Sequence, residues 1–525
     1  MTKIIDADSA ALLIHDGATI GAACLGLIGW PEEVSMAIEK RFLNTGSPRN
    51  LTIVHSSASG NWKDKGTHHL GYEGLVKKLV CAHTGAAPRM AKLVEEQKIE
   101  CYLFPQGVVS HMFRAMASKK PGVITKVGLG TYADPRIEGG KITPQTKDDM
   151  VKVIEIEGEE YLLYKSVPVD IALLKASVAD EKGNLSFTRE AGLTEQLALA
   201  TAVKNAGGIV IAQVENIAKA NSLNPKDIRV PGIMVDYVVV ARPENHLQTM
   251  GTYYNPSFAG EIKIPLHSIE PLPLDERKII ARRATMELAP NTVINLGVGM
   301  PDGVASVAAE EGVSDMMTLT TELGLIGGVP GGGLDFGAAY NADSMIEMDS
   351  MFDFYDGGGL DAAFLGLAQT DISGNVNVSK FGPKVMGPGG FINITQNSKK
   401  VIFCGTFTAG GLVIEVVSGK LNILNEGKSK KFINEVDQIT FSGSFANSIN
   451  QPVLYITERA VFTLENGEMT LIEIAPGVDL TKDILGLMDF KPKISPNLKE
   501  MDSAIFNAKW GGLKQILDVK KSGIQ

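Results

Sequence analysis

Cysteine is scarce in this sequence: four residues in 525, at Cys24, Cys81, Cys101 and Cys404. They show no CxxC spacing and lie among apolar neighbours, so neither a disulfide framework nor a zinc site is expected, and a reducing cytoplasm suits them. Histidine is nearly as rare, at eight. The one adjacent pair, His68-His69, has no HExxH or comparable arrangement with acids; it reads as a solvated loop, and no metal is expected. Basic side chains are outnumbered, 50 Lys and Arg against 60 Asp and Glu, and the net charge of −10 disfavours nucleic acid or an anionic membrane as a partner. No uncharged apolar run approaches the roughly 18 residues that span a bilayer. The longest candidate, 17–30, is broken by glycine, and the opening MTKIIDADSAALLIHDG carries acids inside its apolar stretch, unlike a signal peptide. No membrane partner is expected. Neither a G-x-S-x-G elbow nor a G-x-x-x-x-G-K-[ST] loop occurs, which removes support for serine hydrolase and P-loop chemistry.

What is present is a globular composition, 44% hydrophobic and 21% charged, in a chain longer than the roughly 250 to 300 residues that one core holds. Short β-branched runs at 208–212 and 401–403 alternate with helical spacing at 31–43 and 302–311, which predicts α/β architecture with parallel sheets. The chain also repeats itself. Asp170-Ile171-Ala172-Leu173, then Asp180, then Gly183-Asn184-Leu185 is matched at one spacing by Asp361-Ala362-Ala363-Phe364, Asp371 and Gly374-Asn375-Val376. A second pair, Gly26-Leu27-Ile28-Gly29-Trp30-Pro31-Glu32 and Gly297-Val298-Gly299-Met300-Pro301-Asp302, recurs at a larger offset, so the first half carries an insertion between its blocks. The expected fold is therefore α/β: two similar open domains with largely parallel sheets from an internal duplication. Their expected limits are 1–264 and 278–525, joined by the Pro-rich linker 265–277.

The distinctive chemistry lies in TTELGLIGGVPGGG, where a single acid, Glu322, is followed by six glycines in eleven residues. The preceding 316–319 (MMTL) reads as a buried strand, so Glu322 is expected at a strand end, where α/β proteins hold their chemistry. On its own, such an acid is a helix cap or an exposed loop residue. A second turn, Gly387-Pro388-Gly389-Gly390, precedes FINI, read as another apolar strand, and leaves main-chain N–H groups free to face a cleft. A carboxylate nucleophile with a backbone oxyanion pocket belongs to acyl transfer. The Gly297–Gly303 turn departs from G-x-G-x-x-G by one residue. It reads equally as a ligand contact or as plain strand-to-helix turning.

The run Thr321-Glu322-Leu323-Gly324-Leu325-Ile326-Gly327-Gly328 occurs with GPGG at 387–390, FYDGGG at 354–359, FCGTFTAGG at 403–411, FPQG at 104–107 and GLGT at 128–131. Together these resemble the class I coenzyme A-transferases, and among them the single-chain acetate/propionate branch. The resemblance implies that Glu322 forms a thioester with CoA, that the amides around Gly389 and Gly390 hold the carbonyl oxygen, and that Gln106 and Asn377 line the site. It implies no permanently bound cofactor, CoA being substrate and covalent intermediate, and acyl-CoA and short-chain carboxylates such as acetate or propionate as partners. A homo-oligomer is implied, with a tetramer as one form. The sequence departs from relatives with E-N-G after the acid and with an asparagine pair where Ser56-Ser57 stands. A glutamate ionised at an ordinary pKa suffices for this chemistry. The alternatives are an acyl-CoA hydrolase on the same scaffold and a ligand-sensing α/β module; the latter predicts a basic helix-turn-helix segment that neither terminus shows.

Overall fold

The computed structural model describes residues 2–265 and 271–522. In the first half, parallel strands run in the spatial order Lys3–Ile5, Tyr237–Val240, Ile209–Ala218, Ile171–Asp180, Thr19–Ala22, Leu51–His55, Val76–Cys81 and Glu100–Leu103. In the second, Val453–Ile456, Val401–Cys404, Ala362–Gly366, Val293–Leu296 and Thr318–Thr320 are parallel in the corresponding order. That sheet continues antiparallel at both ends, through Ala460–Glu465 on one side and Leu325–Ile326 on the other. The central strands are covered on both faces and so read as unbroken apolar runs, VIFC at 401–404 being buried at every position. Two similar, largely parallel α/β sheets are thus present.

The repeated aspartates have a structural cause. Asp180 Oδ1 accepts the amides of Lys182 (2.9 Å) and Asn184 (3.0 Å), and Asp371 Oδ1 accepts those of Ser373 (3.0 Å) and Asn375 (3.1 Å). The asparagines then accept the amides of Gly232 (2.8 Å) and Gly443 (3.0 Å). Each set ties off the turn after the central strand in the same way. The extra length of the first half includes an antiparallel sheet of Gly122–Thr125, Glu159–Lys165 and Val151–Ile156. Residues 266–270 of the expected linker lie outside the described residues. Its last two positions already belong to helix Glu276–Thr285, which Asp275 caps by accepting the Lys278 amide at 3.0 Å.

Three local readings are corrected. The strand before Glu322 is Thr318–Thr320, with Ser314–Met316 forming a short 3-10 turn. FINI is the start of helix Phe391–Asn397, not a strand: Gly390 O accepts the Ile394 amide at 3.0 Å, and a four-residue apolar run carries no period to distinguish the two. His68-His69 is not a solvated loop. His69 is partly buried and bonds Glu39 and Glu32, the latter at 2.9 Å; burial alone would lower its pKa, but the two carboxylates push it up to about 9.

The halves meet along helix Gln106–Ala117, which packs against helices Met348–Asp356 and Phe391–Asn397. The Gln106 amide donates to Gly389 O at 2.9 Å and the Gly107 amide to Asn393 Oδ1 at 3.0 Å, so the second half satisfies N–H groups that the helix start leaves open. A Cβ on Gly107 would lie 2.7 Å from the Phe352 ring, so only glycine permits this approach. Charged pairs continue the seam: His111 Nε2 lies 3.0 Å from Asp353 and Arg114 Nε 3.1 Å from Asp349.

Candidate active site

Strand Thr318–Thr320 is pinned at its end by Thr320, whose hydroxyl donates to Ile294 O (3.0 Å) and accepts from Tyr355 (2.8 Å). The chain then reverses: the Gly324 amide donates to Thr321 O at 3.0 Å, and Leu325–Ile326 returns antiparallel. Gly324 has φ +101°, and a Cβ there would collide with Ile346 O, so the turn requires glycine. Leu323 goes into the core. Glu322 occupies the tip of the turn and extends into the seam between the halves, where the Gln106 side chain and the Gly390 amide hydrogen-bond its carboxylate.

Burial raises the Glu322 carboxyl to about 7, with the Gln106 and Gly390 bonds pulling it partly back. The expectation of an ordinary glutamate is therefore corrected: removal from water is enough to raise the pKa without a neighbouring acid. Gln106 is fully buried, and its Oε1 accepts the Ser57 hydroxyl at 2.9 Å, which leaves its NH₂ to donate towards Glu322 and towards Met348 Sδ at 3.4 Å.

The GPGG turn differs from the free cradle expected. The Gly387 amide donates to Ser379 O and the Gly389 amide to Ala82 O, both at 3.0 Å, and Pro388 has no N–H. Gly390 alone directs an amide at Glu322. Its missing side chain is also needed, since a Cβ would collide with Glu322 Oε2 and lie 3.3 Å from Cδ. Gly389 contributes a left-handed φ of +52° and open space, its nearest neighbour being Gln106 Oε1 at 3.7 Å. No hydrogen bond joins Asn377 to Glu322 among the described residues. Its amide donates to Gln369 Oε1 and Lys380 O, both at 2.6 Å, and its oxygen accepts the Ser379 amide at 3.0 Å. Because Ser379 O in turn receives Gly387, Asn377 braces the glycine turn from below.

At the carboxyl ends of the second sheet a cavity of about 710 Å³ is lined by Val298, Gly299, Ser306, Gly332, Tyr340 and Arg277. The Gly297-Val298-Gly299 turn therefore borders open space, closed at one corner by the Gly299 amide on Asp302 Oδ2 at 3.0 Å. The cavity wall at 329–333 lies in the loop that follows Leu325–Ile326, the strand into which the Glu322 turn leads.

A sequence model for coenzyme A transferases matches residues 4–241. Caffeate CoA-transferase of Acetobacterium woodii is 54% identical over 523 residues, covering 98% of this chain and 100% of the relative. The chain belongs to the coenzyme A transferase family. Acetate CoA-transferase YdiF of Escherichia coli K12 is 46% identical over 506 residues, 96% of this chain and 95% of that protein. The crystal structure of the acyl-CoA transferase YdiF from Escherichia coli O157:H7 in a thioester complex with CoA superposes with a TM-score of 0.92 at 44% identity, covering 97% of both chains. The chain is thus an enzyme that transfers CoA between an acyl-CoA and a carboxylate. In the sequence Ser57 is singled out only as standing, with Ser56, in place of an asparagine pair of relatives, and Met348 and the Ala82 carbonyl are not singled out at all. Their types carry no chemical signature, and only the closure of one half on the other brings them to Gln106 and the glycine turn.

Proposed function

We propose that Glu322 is the nucleophile of a ping-pong CoA transfer. Its carboxylate attacks the thioester carbonyl of the donor, forming an acyl-glutamyl anhydride and releasing CoA thiolate. The thiolate attacks the glutamyl carbonyl, giving a glutamyl-CoA thioester and the donor carboxylate. An acceptor carboxylate then attacks the glutamyl carbonyl, expelling thiolate, which takes the new acyl group and restores Glu322. The observation that carries this reading is the partly buried Glu322 carboxyl facing the Gly390 amide and Gln106. The donors that hold the carboxylate are placed to hold the oxyanion that forms when the glutamyl carbon is attacked, and loss of one such donor costs roughly 2.7 to 4 kcal/mol in a protease. A pKa near 7 leaves about half of the acid ionised at neutral pH and makes it a stronger nucleophile than a solvated glutamate. The cavity beside Val298 is large enough for part of CoA, whose remote arm supplies binding energy for the step. Packing of the seam keeps water from the anhydride.

For substrates we propose short-chain acids, acetate or propionate, with CoA as substrate and covalent intermediate and no resident cofactor. A second reading is a larger aryl acid, favoured by the 54% identity to the caffeate enzyme. A reducing compartment suits four buried, unpaired cysteines, and a homo-oligomer is proposed on family likeness, for which light scattering is the test. The reaction is tested with a panel of acetyl-, propionyl-, butyryl- and arylpropenoyl-CoA donors against matching acids. Parallel double-reciprocal lines with a short-chain pair support the proposal. CoA release that is equally fast without any acceptor acid would instead assign a hydrolase.

A further inference from the structure

A second glutamate is fully buried beside the seam between the halves. Glu195, 1% exposed, occupies the position before helix Gln196–Asn205, where an acid ordinarily caps the helix, yet its side chain makes no capping bond. It turns into the seam instead. The segment around it is held there by the second half, the Met348 amide donating to Leu193 O at 2.8 Å. One carboxyl oxygen accepts the hydroxyl of Ser110. The other, Oε2, is buried without a completed hydrogen bond, as is Ser56 Oγ, and the Ser56 hydroxyl acts on this same carboxyl.

Two routes lead from these contacts to Glu322. Ser110 lies one turn after Gln106 on helix Gln106–Ala117, on the same face of that helix. Ser56 directly precedes Ser57, whose hydroxyl fixes the Gln106 amide at 2.9 Å. Gln106 then hydrogen-bonds the Glu322 carboxylate. Ser56, Ser57, Ser110 and Gln106 are all buried, so water does not compete for these bonds.

We infer that Glu195 is a positioning residue for the transfer reaction: by holding Ser110 and Ser56 it sets the Gln106 amide against Glu322, and so controls the reactivity of that carboxylate. This rests on the reading of Glu322 as nucleophile. Burial raises Glu195 to about 7, the charge of Asp349 adding to it while Ser110 and Ser56 oppose it. The charged or titratable groups acting across it are Asp349, itself paired with Arg114, and the Cys24 thiol.

The test is a double-mutant cycle with Gln106. Glu195→Ala is expected to lower kcat about tenfold, less than the roughly hundredfold that a 1 Å misplacement costs, and to leave KM for acyl-CoA unchanged because Gln106 acts on the glutamate. Glu195→Gln keeps the shape and the hydrogen bond to Ser110, and should recover kcat to within about threefold of the parent. In a Gln106→Ala background, adding Glu195→Ala should cost less than about twofold more, since the group through which it acts is gone. Losses that multiply across the two sites, or a rise in KM in place of a fall in kcat, would overturn the inference. Ser110→Ala in both backgrounds makes the same comparison should Glu195→Ala not fold. Trapping of the acyl-enzyme keeps the two claims apart: label on Glu322 with multiplicative losses refutes only the role of Glu195, whereas absence of label in the parent refutes the nucleophile.

Discussion

Glu322→Gln should abolish transfer and yet stabilise the protein, in a pH-dependent way. Burial lifts the Glu322 carboxyl to about 7, whereas an unfolded chain releases the same proton near about 4.3. Below about 4.3 both states hold the proton and the acid costs nothing. Between the two values the unfolded chain is ionised and the folded one is not, so stability falls as pH rises. Above about 7 both are ionised and the full penalty persists, about 4 kcal/mol at 1.36 kcal/mol per pH unit. The glutamine carries no charge and escapes it, while its oxygen still accepts one of the two bonds, leaving a gain of about 2 kcal/mol. If the second half melts as a unit of about 250 residues, that corresponds to about 5 °C in midpoint. Thermal unfolding of parent and variant at about pH 8.5 and about pH 5 provides the comparison, the gain vanishing at the lower pH, where about 2.6 kcal/mol of the penalty is gone. A variant no more stable than the parent at the higher pH, or a gain independent of pH, would refute the reasoning.

The two glycines of the GPGG turn should behave oppositely. Gly390→Ala fits its backbone φ of −79° but drives a Cβ into Glu322 Oε2, so the rate should fall on the order of a hundredfold with little change in melting; Gly389→Ala, at φ +52° in open space, should cost about 1 to 2 kcal/mol of stability with a smaller loss of rate. The reverse pattern would contradict the assignment of Gly390 as the donor. Gln106→Leu removes a bond that favours ionised Glu322, so the acid limb of kcat/KM should move to higher pH by about one unit; an unmoved profile would separate Gln106 from the nucleophile. Glu322→Asp withdraws the carboxylate by about 1.5 Å and should cut transfer by at least about a hundredfold. The vacated space admits water, so CoA release without an acceptor should persist. An enzyme dead in both assays would show that the pocket holds no productive water, and an unchanged transfer rate would remove Glu322 from the mechanism.

The duplication was legible because Asp180 and Asp371 each bind the turn that follows their own strand. Such local chemistry leaves a fixed spacing in the chain. Glu322 stood out for a related reason: a lone acid in a run of glycines marks a turn held tightly by its surroundings. The contacts that give Glu322 its character were not legible, because Gln106 comes from the other half and Gly390 from a loop 68 residues later in the numbering. The GPGG turn shows the limit clearly. Glycine signalled freedom for main-chain amides, but Ala82 O and Ser379 O had already taken two of them. Glu195, in AGLTEQLALA, has the pattern of an acid at a helix start, and only the folded seam shows its side chain turned away from that helix. Asn377 had the right type for a site residue, and its place beneath the glycine turn depends on the loop it closes.

The central claim is that Glu322 carries the CoA group, and trapping tests it most directly. The enzyme is incubated with acyl-CoA and no acceptor, the thioester is reduced with borohydride, and the peptides are mapped by mass. The reduced side chain is expected at Glu322, in the peptide that contains Thr321-Glu322-Leu323-Gly324. Modification at another residue with Glu322 intact would contradict it.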